Sequence, residues 1–249
     1  MKKQLIKAVL FDLGDTLMYS PDAWGPVFER AGRKLEDSLC QNKVKVACDN
    51  FYLEFLKQLD LYYEDRERNL IEISVMSMLQ NLLADRGMGW VPESILRQAL
   101  DEFYKVTQMN WKLEPDTIPM LTTLQNAGLH LGLISNAGDH QDVIRLVELF
   151  DIRKYFDFVI TSASCGYRKP HPYMFGRALE KWNLLPDEVA MVGDRLDADI
   201  SGAKPLGIFS IWIRRREGDA QLEPIQPDVT VESLKEVPPL IIEQATVSN

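Results

Sequence analysis

An α/β fold, with a Rossmann-like parallel sheet between two helical layers and an inserted four-helix block, follows from three observations. Apolar runs of strand length alternate with helical patterns through the second half of the chain. One such run, at residues 6–11, stands alone near the N-terminus. Between the two lies a stretch of about 90 residues with helical periodicity throughout and no strand signal.

The first run is short, apolar and ended by turn residues from Asp12 onward, as a buried strand is. Four helical sets follow. Trp24, Val27, Phe28, Ala31, Leu35 and Leu39 recur at three- and four-residue steps, as do Tyr52, Phe55, Leu56, Leu59 and Tyr63. Val75, Leu79, Leu82 and Leu83 form the third set, ended by Gly87. Ile95, Leu96, Ala99 and Phe103 form the fourth, started near Pro92. After residue 113 the pattern changes. Helix 117–127 ends at Gly128, and strand 130–135 stops at Asn136. Helix 140–149, strand 157–161, helix 171–183 and strand 188–193 follow, the last stopping at Asp194. Helix 196–204 and strand 207–213 come next, and a last short strand lies near residues 228–231. Because the helical block separates the first strand from its partners, it reads as an insertion. The expected organisation is a core of residues 1–18 and 113–249 with an inserted domain of residues 19–112.

Composition narrows the function classes. The chain has 249 residues, 46% of them hydrophobic, and a formal net charge of −9. Phosphate backbones and anionic membranes select an excess of Lys and Arg, so nonspecific binding to nucleic acid or membrane is not expected. A small phosphate can still bind locally. Cys40, Cys48 and Cys165 are odd in number and match no metal or disulfide spacing, which fits thiols in a reducing cytosol. The N-terminal apolar stretch is broken by Lys7 and ended by Asp12, too short for a leader's apolar region. No run approaches the roughly 18 apolar residues of a membrane helix. A cytoplasmic protein is the expectation; nothing in the pattern fixes an oligomeric state.

In sheets of this kind ligands sit beyond the carboxyl ends of the strands. Asp12 follows the first strand, Ser135 and Asn136 the second, and Gly193 and Asp194 the fourth. Each is an ordinary turn residue alone; together they define a site. Carboxylates at Asp12, Asp194 and Asp199 repel one another unless a cation lies among them. An all-oxygen set suits Mg²⁺, which commonly joins carboxylates to a substrate phosphate. Ser135 and Asn136 offer neutral donors to an oxyanion, and Lys169 lies on the loop before a helix, within reach of a phosphate or carboxylate. A carboxylate nucleophile, Mg²⁺, a hydroxyl and a lysine fit phosphoryl transfer to or from a small phosphorylated molecule.

The same residues resemble four motifs of the haloacid dehalogenase-like hydrolase superfamily. "VLFDLGDTL" resembles motif I, usually D-x-D-G-T-L, and "LGLISN" resembles motif II. "GYRKPHPYMF" resembles motif III, usually R-K-P-D-P-x-x-F, and "VGDRLDADISGAKPLG" resembles motif IV, G-D-x-x-x-x-D. The likeness covers residues 5–20 and 113–232. The helical insertion is similar to the small α-helical cap of subfamily I, the C1 type, which selects substrate. The resemblance implies a Mg²⁺-dependent phosphatase working through an aspartyl-phosphate on Asp12. It further implies that Thr16 braces the nucleophile's turn, that Ser135 bonds the transferring phosphoryl group, and that Asn136 fixes its loop. Lys169 would offset charge on Asp12 and the phosphate. Asp194 and the Gly14 carbonyl would ligate the metal with Asp12, and Asp199 would hold it from behind the ligands or through water.

One departure stands in motif I. The family's general acid and base is an Asp two residues beyond the nucleophile; here Gly14 holds that place and Asp15 follows. Glycine has no proton to give. Three expectations follow: Asp15 takes the role through a shifted turn, the leaving group needs no protonation, or the chain binds a phosphorylated ligand with weak turnover. Hydrolytic dehalogenation ranks lower, because it has no use for the metal carboxylates. His171 stands where motif III usually has Asp, which weakens the loop's hydrogen bonding around Lys169. Asp197 reads as a solvated helix acid, and His130 and His140 as strand-end or surface residues. Trp24, Met76 and Met78 read as packing residues, while Tyr19 sits where a substrate pocket begins. Arg214, Arg215 and Arg216 read as a solvated loop.

Overall fold

The structure is a computed structural model and describes residues 5–46, 50–215 and 225–245. Cys48 and Arg216 lie outside the described residues. The strands are β1 (Ala8–Phe11), β2 (Met18–Tyr19), β3 (Lys112–Leu113), β4 (His130–Ser135), β5 (Phe158–Thr161), β6 (Val189–Gly193), β7 (Phe209–Ile213) and β8 (Val229–Val231). The α-helices are α1 (Trp24–Gln41), α2 (Phe51–Asn69), α3 (Val75–Asp85), α4 (Glu93–Gln108), α5 (Thr117–Asn126), α6 (His140–Leu149), α7 (Ser162–Cys165), α8 (Pro172–Trp182), α9 (Ser201–Ala203) and α10 (Val237–Ala245).

Six strands form one sheet in the order β5-β4-β1-β6-β7-β8, and every pair is parallel. All four residues of β1 are buried. A central strand covered on both faces is apolar without alternation, which is why residues 8–11 read as an unbroken run. Alternate side chains point to opposite faces. Ala8 and Leu10 join Met174, Phe175 and Ala178 of α8 and Ala203 of α9 in one layer. On the other face α5 buries Met120, Leu121 and Leu124, and α6 buries Val143, Leu146 and Val147. Each fully buried side chain of this size stabilises the fold by about 1.5–3 kcal/mol. The result is the expected α/β/α arrangement. The helix read at 196–204 is less regular: a π-helical turn at Leu196–Ile200 passes into α9 and then a 3-10 turn at Lys204–Leu206.

The chain forms two compact units, residues 1–19 with 113–249, and residues 20–112. Within the second, α1, α2, α3 and α4 share a core that includes Leu35, Leu39, Phe55, Leu79, Leu100 and Phe103. All but Leu100 fall on the four helical stripes legible in the sequence. Trp24 stacks on Phe28 with ring centroids 5.3 Å apart and lies 5.1 Å from Trp111. Met76 and Met78 pack on the same core. α3 is capped by Ser74, whose side chain accepts from the Ser77 backbone. β2 and β3 pair in a separate two-stranded sheet. No helix among the described residues is long and apolar enough to cross a membrane.

Candidate active site

β1 pairs with β4 on one side and β6 on the other, so the strand order reverses beyond its carboxyl end. That is where open α/β sheets bind ligands. Asp12 stands at this point, the first residue after β1, with its backbone N–H donating to the Val192 carbonyl at 3.0 Å. The register sets Leu133 of β4 and Val192 of β6 opposite Phe11, so the residues following all three strands emerge together.

The carboxylates of Asp12, Asp194 and Asp199 converge, each offering an oxygen within 4.8 Å of the others'. All three residues are buried. Lys169 lies among them. Its ammonium donates to Asp12 Oδ1 at 2.6 Å and to the Ile134 carbonyl at 2.8 Å, and sits 2.7 Å from Asp199 Oδ1. Burial opposes the Lys169 charge, but the Asp12 and Asp199 carboxylates outweigh it and hold its pKa above the usual lysine value. Burial likewise pushes the Asp199 carboxyl up to about 6, against the pull of Lys169 and with the Asp12 charge adding to the rise. Asp199 also accepts from the Arg195 backbone at 3.1 Å. Gly193 leaves the space it fills: a methyl group on its Cα would overlap the Asp199 carboxylate.

Asn136 fixes the lysine loop from both sides, accepting from the Lys169 N–H at 2.7 Å and donating to its carbonyl at 2.9 Å. Ser135 is buried at the end of β4. Thr16 is fully buried and donates to Asp194 Oδ1 at 3.3 Å, so it braces motif IV as well as its own turn. Gly14 forms an isolated parallel bridge with Met18, and Asp15 adopts a left-handed backbone with φ 56°. The Asp15 carboxylate is not a member of the three-carboxylate cluster.

Two expectations need correction. His171 does not weaken the loop around Lys169: its Nδ1 caps α8 by accepting from the Tyr173 N–H at 3.2 Å, and its own N–H donates to the Arg168 carbonyl at 2.8 Å. Imidazole nitrogen is an acceptor at the same reach as a carboxylate, so the cap survives. Arg215 is not a solvated loop residue. Its side chain is 22% exposed, lies 3.5 Å from Glu114 Oε1 and reaches the Thr16 carbonyl at 3.5 Å. Arg214 does lie at the surface, paired with Glu232. Asp197 pairs with Arg195, His130 with Asp157, and His140 with the Thr161 hydroxyl. Sequence reasoning missed the second ion pair of Lys169 and the Trp212 indole, which donates to the Asp194 carbonyl at 2.8 Å.

Three carboxylates around one point, an ammonium and a hydroxyl can hold a divalent cation and position a phosphoryl group. The oxygen-only donor set fits Mg²⁺, whose preferred partners are carboxylates, carbonyls and water. A haloacid dehalogenase-like hydrolase family model matches residues 6–207, and the chain belongs to that family. It is 33% identical over 239 residues to a phosphoglycolate phosphatase of Escherichia coli O157:H7, covering 95% of this chain and 92% of the relative. It is 32% identical over 212 residues to a glyceraldehyde 3-phosphate phosphatase of Methanopyrus kandleri, covering 85% of each. Among solved structures, an HAD phosphatase from Thermococcus onnurineus superposes with a TM-score of 0.64 at 25% identity, over 95% of this chain and 98% of that one. A 2-haloacid dehalogenase from Pseudomonas syringae shares the fold, with a TM-score of 0.68 at 24% identity, over 96% and 99%.

Proposed function

We propose that the protein is a Mg²⁺-dependent phosphatase of a small phosphorylated metabolite, acting through an aspartyl-phosphate on Asp12. The observation that carries this reading is the buried ammonium of Lys169 held between Asp12 and Asp199, with Asp194 completing the cluster. The relatives named as phosphatases support it. A dehalogenase needs no divalent cation, which the carboxylates of Asp12, Asp194 and Asp199 together suit.

Asp12 attacks phosphorus with a carboxylate oxygen; the bond to the leaving oxygen breaks, and water then attacks the same phosphorus to free phosphate and restore the carboxylate. Lys169 pairs with the Asp12 carboxylate and offsets charge on the phosphoryl oxygens. Ser135 supplies a hydroxyl to one of those oxygens, and Asn136 holds the lysine loop in place. Asp12, Asp194 and the Gly14 carbonyl would hold Mg²⁺, with Asp199 behind them; a bound ion would supply neutralisation of charge on the transferring group. The inserted helical unit is assigned the selection of substrate, with Tyr19 at its entry.

Gly14 cannot give a proton to the leaving group, so that transfer falls to Asp15 or to water. One assay series tests the whole reading: a phosphomonoester panel with wild type, Asp12→Asn, Asp15→Ala and Gly14→Asp. Asp12→Asn removes all Mg²⁺-dependent turnover; retained turnover overturns the nucleophile assignment. Loss on Asp15→Ala assigns the acid to Asp15. Retained turnover there, with a gain on Gly14→Asp of up to about 10²-fold, assigns it to water. A wild type that binds phosphorylated ligands without turning over any panel member would instead be a binding or regulatory protein on this scaffold, a reading that Gly14 favours.

A further inference from the structure

Beyond the four motifs, the end of β7 touches the site at two points. Trp212 is buried in that strand, and its indole N–H donates to the Asp194 carbonyl at 2.8 Å. Its ring packs with Leu196 and Ile200, the apolar residues of the π-helical turn after Asp194. Three residues on, Arg215 extends its guanidinium to the Thr16 carbonyl and to Glu114. Thr16 in turn donates its hydroxyl to Asp194 Oδ1 at 3.3 Å. Glu114 and Thr117 tie down the neighbouring residue: the Glu114 N–H and the Thr117 hydroxyl both donate to the Leu17 carbonyl, at 3.0 and 2.6 Å.

The contacts form a closed circuit. β7 holds Asp194 by its main chain through Trp212, Asp194 holds Thr16 by its side chain, and Thr16 is held back to β7 through Arg215. The circuit spans motif I, motif IV and a strand that carries neither. We propose that Trp212 and Arg215 are positioning residues that keep the Asp194 carboxylate and the Asp12–Thr16 turn in register for the cation. This rests on the reading of Asp12 and Asp194 as the metal's carboxylates. Both are argued to act through other residues, Trp212 through Asp194 and Arg215 through Thr16. A carboxylate that must meet an ion with strict octahedral preference tolerates little drift, so the groups behind it set affinity as well as the ligands do.

The indole also makes its own readout, because its N–H bonds the main chain of the residue that meets the ion. Mg²⁺ is titrated into the full chain with tryptophan fluorescence and calorimetry as signals, using wild type, Trp212→Phe, Arg215→Lys, Arg215→Gln and Trp182→Phe. Wild type and Trp182→Phe give the same saturable fluorescence change, and Trp212→Phe loses it. Calorimetric half-saturation rises about tenfold in Trp212→Phe and Arg215→Gln, the lower end of the loss expected for groups behind metal ligands. Arg215→Lys, which keeps the charge, recovers part of that loss. A chain carrying both Trp212→Phe and Arg215→Gln loses less than the product of the single losses, because both act through one circuit. Metal-free melting of each variant is recorded alongside; a rise in half-saturation at an unchanged melting midpoint separates positioning from general stability. Half-saturation within twofold of wild type in both Trp212→Phe and Arg215→Gln overturns the proposal while leaving the metal reading intact. A wild type that binds no Mg²⁺ overturns both. Should Trp212→Phe fail to fold, the two Arg215 variants decide the outcome alone.

Discussion

Asp15 carries a local contradiction within the site itself. Its φ of 56° lies in the left-handed region, which crowds a Cβ against the following carbonyl. The motif I pattern has glycine at this position and an acid one residue earlier. Here the two types are exchanged; the left-handed residue is Asp15, and Gly14 is not among the positive-φ glycines. Asp tolerates this region better than most residues, because its short polar side chain bonds locally. Asp15→Gly relieves the crowding but enlarges the unfolded ensemble, and the two effects nearly cancel, within about 1 kcal/mol. Asp15→Val has the crowding without the local bonding and loses about 1–2 kcal/mol. Urea melts of the three proteins test this: stability in the order Gly or Asp above Val is expected, and Val equal to or above Gly would show that residue 15 is not left-handed in solution.

The outer strand β8 depends on a single carboxylate. Asp228 precedes it and accepts from the Ser210 N–H at 2.9 Å, the Ser210 hydroxyl at 2.7 Å and the Lys204 ammonium at 2.7 Å. Its own N–H donates to the Ser210 carbonyl at 3.0 Å. Three residues of edge strand pair too few groups to be stable alone, so this anchor sets where β8 joins β7. Burial raises the Asp228 pKa, but the Lys204 and Ser210 donors outweigh it and hold it below the usual carboxylate range. A depressed folded pKa means that the ionised form is favoured by folding. Its contribution is complete above the unfolded value of about 4 and is lost as pH falls through the folded value. Asp228→Ala is expected to lose about 1–3 kcal/mol at pH 7. The difference from wild type should shrink below about pH 4; a constant difference from pH 7 to pH 3 would show that the anchor does not depend on the charge.

The sheet and the insertion were legible because burial writes its period directly into sequence: continuous apolar runs for strands covered on both faces, and three- and four-residue steps for α1 to α4. Asp12, Ser135, Lys169 and Asp194 were legible because they end strands or open helices. What could not be read were side-chain pairings across the sheet. Lys169 meets Asp199, Trp212 meets Asp194 and Arg215 meets Thr16 only because β1, β6 and β7 lie side by side. A basic run such as 214–216 looks the same whether or not one member turns inward. The π-helical turn at Leu196–Ile200 was hidden too, since its apolar residues suit an ordinary helix. The division into two units, each with its own core, leads to the last prediction. β2 and β3 are paired neighbours, so the chain leaves for residues 20–112 and returns at adjacent points, about 4.8 Å apart. A linker of about four Gly and Ser residues spans that gap with slack. Replacing residues 20–112 by such a linker should leave a chain that melts in one cooperative transition, because the buried layers on both faces of the six-stranded sheet are untouched. Every residue assigned to the cation and to its bracing circuit remains, so Mg²⁺ half-saturation should stay within about twofold of the full chain, the margin for uncoupled parts. Substrate discrimination should not survive: rates across a phosphomonoester panel should converge if the removed helices select the substrate. A shortened chain that folds and binds Mg²⁺ but keeps the full chain's preferences would move specificity into the sheet domain.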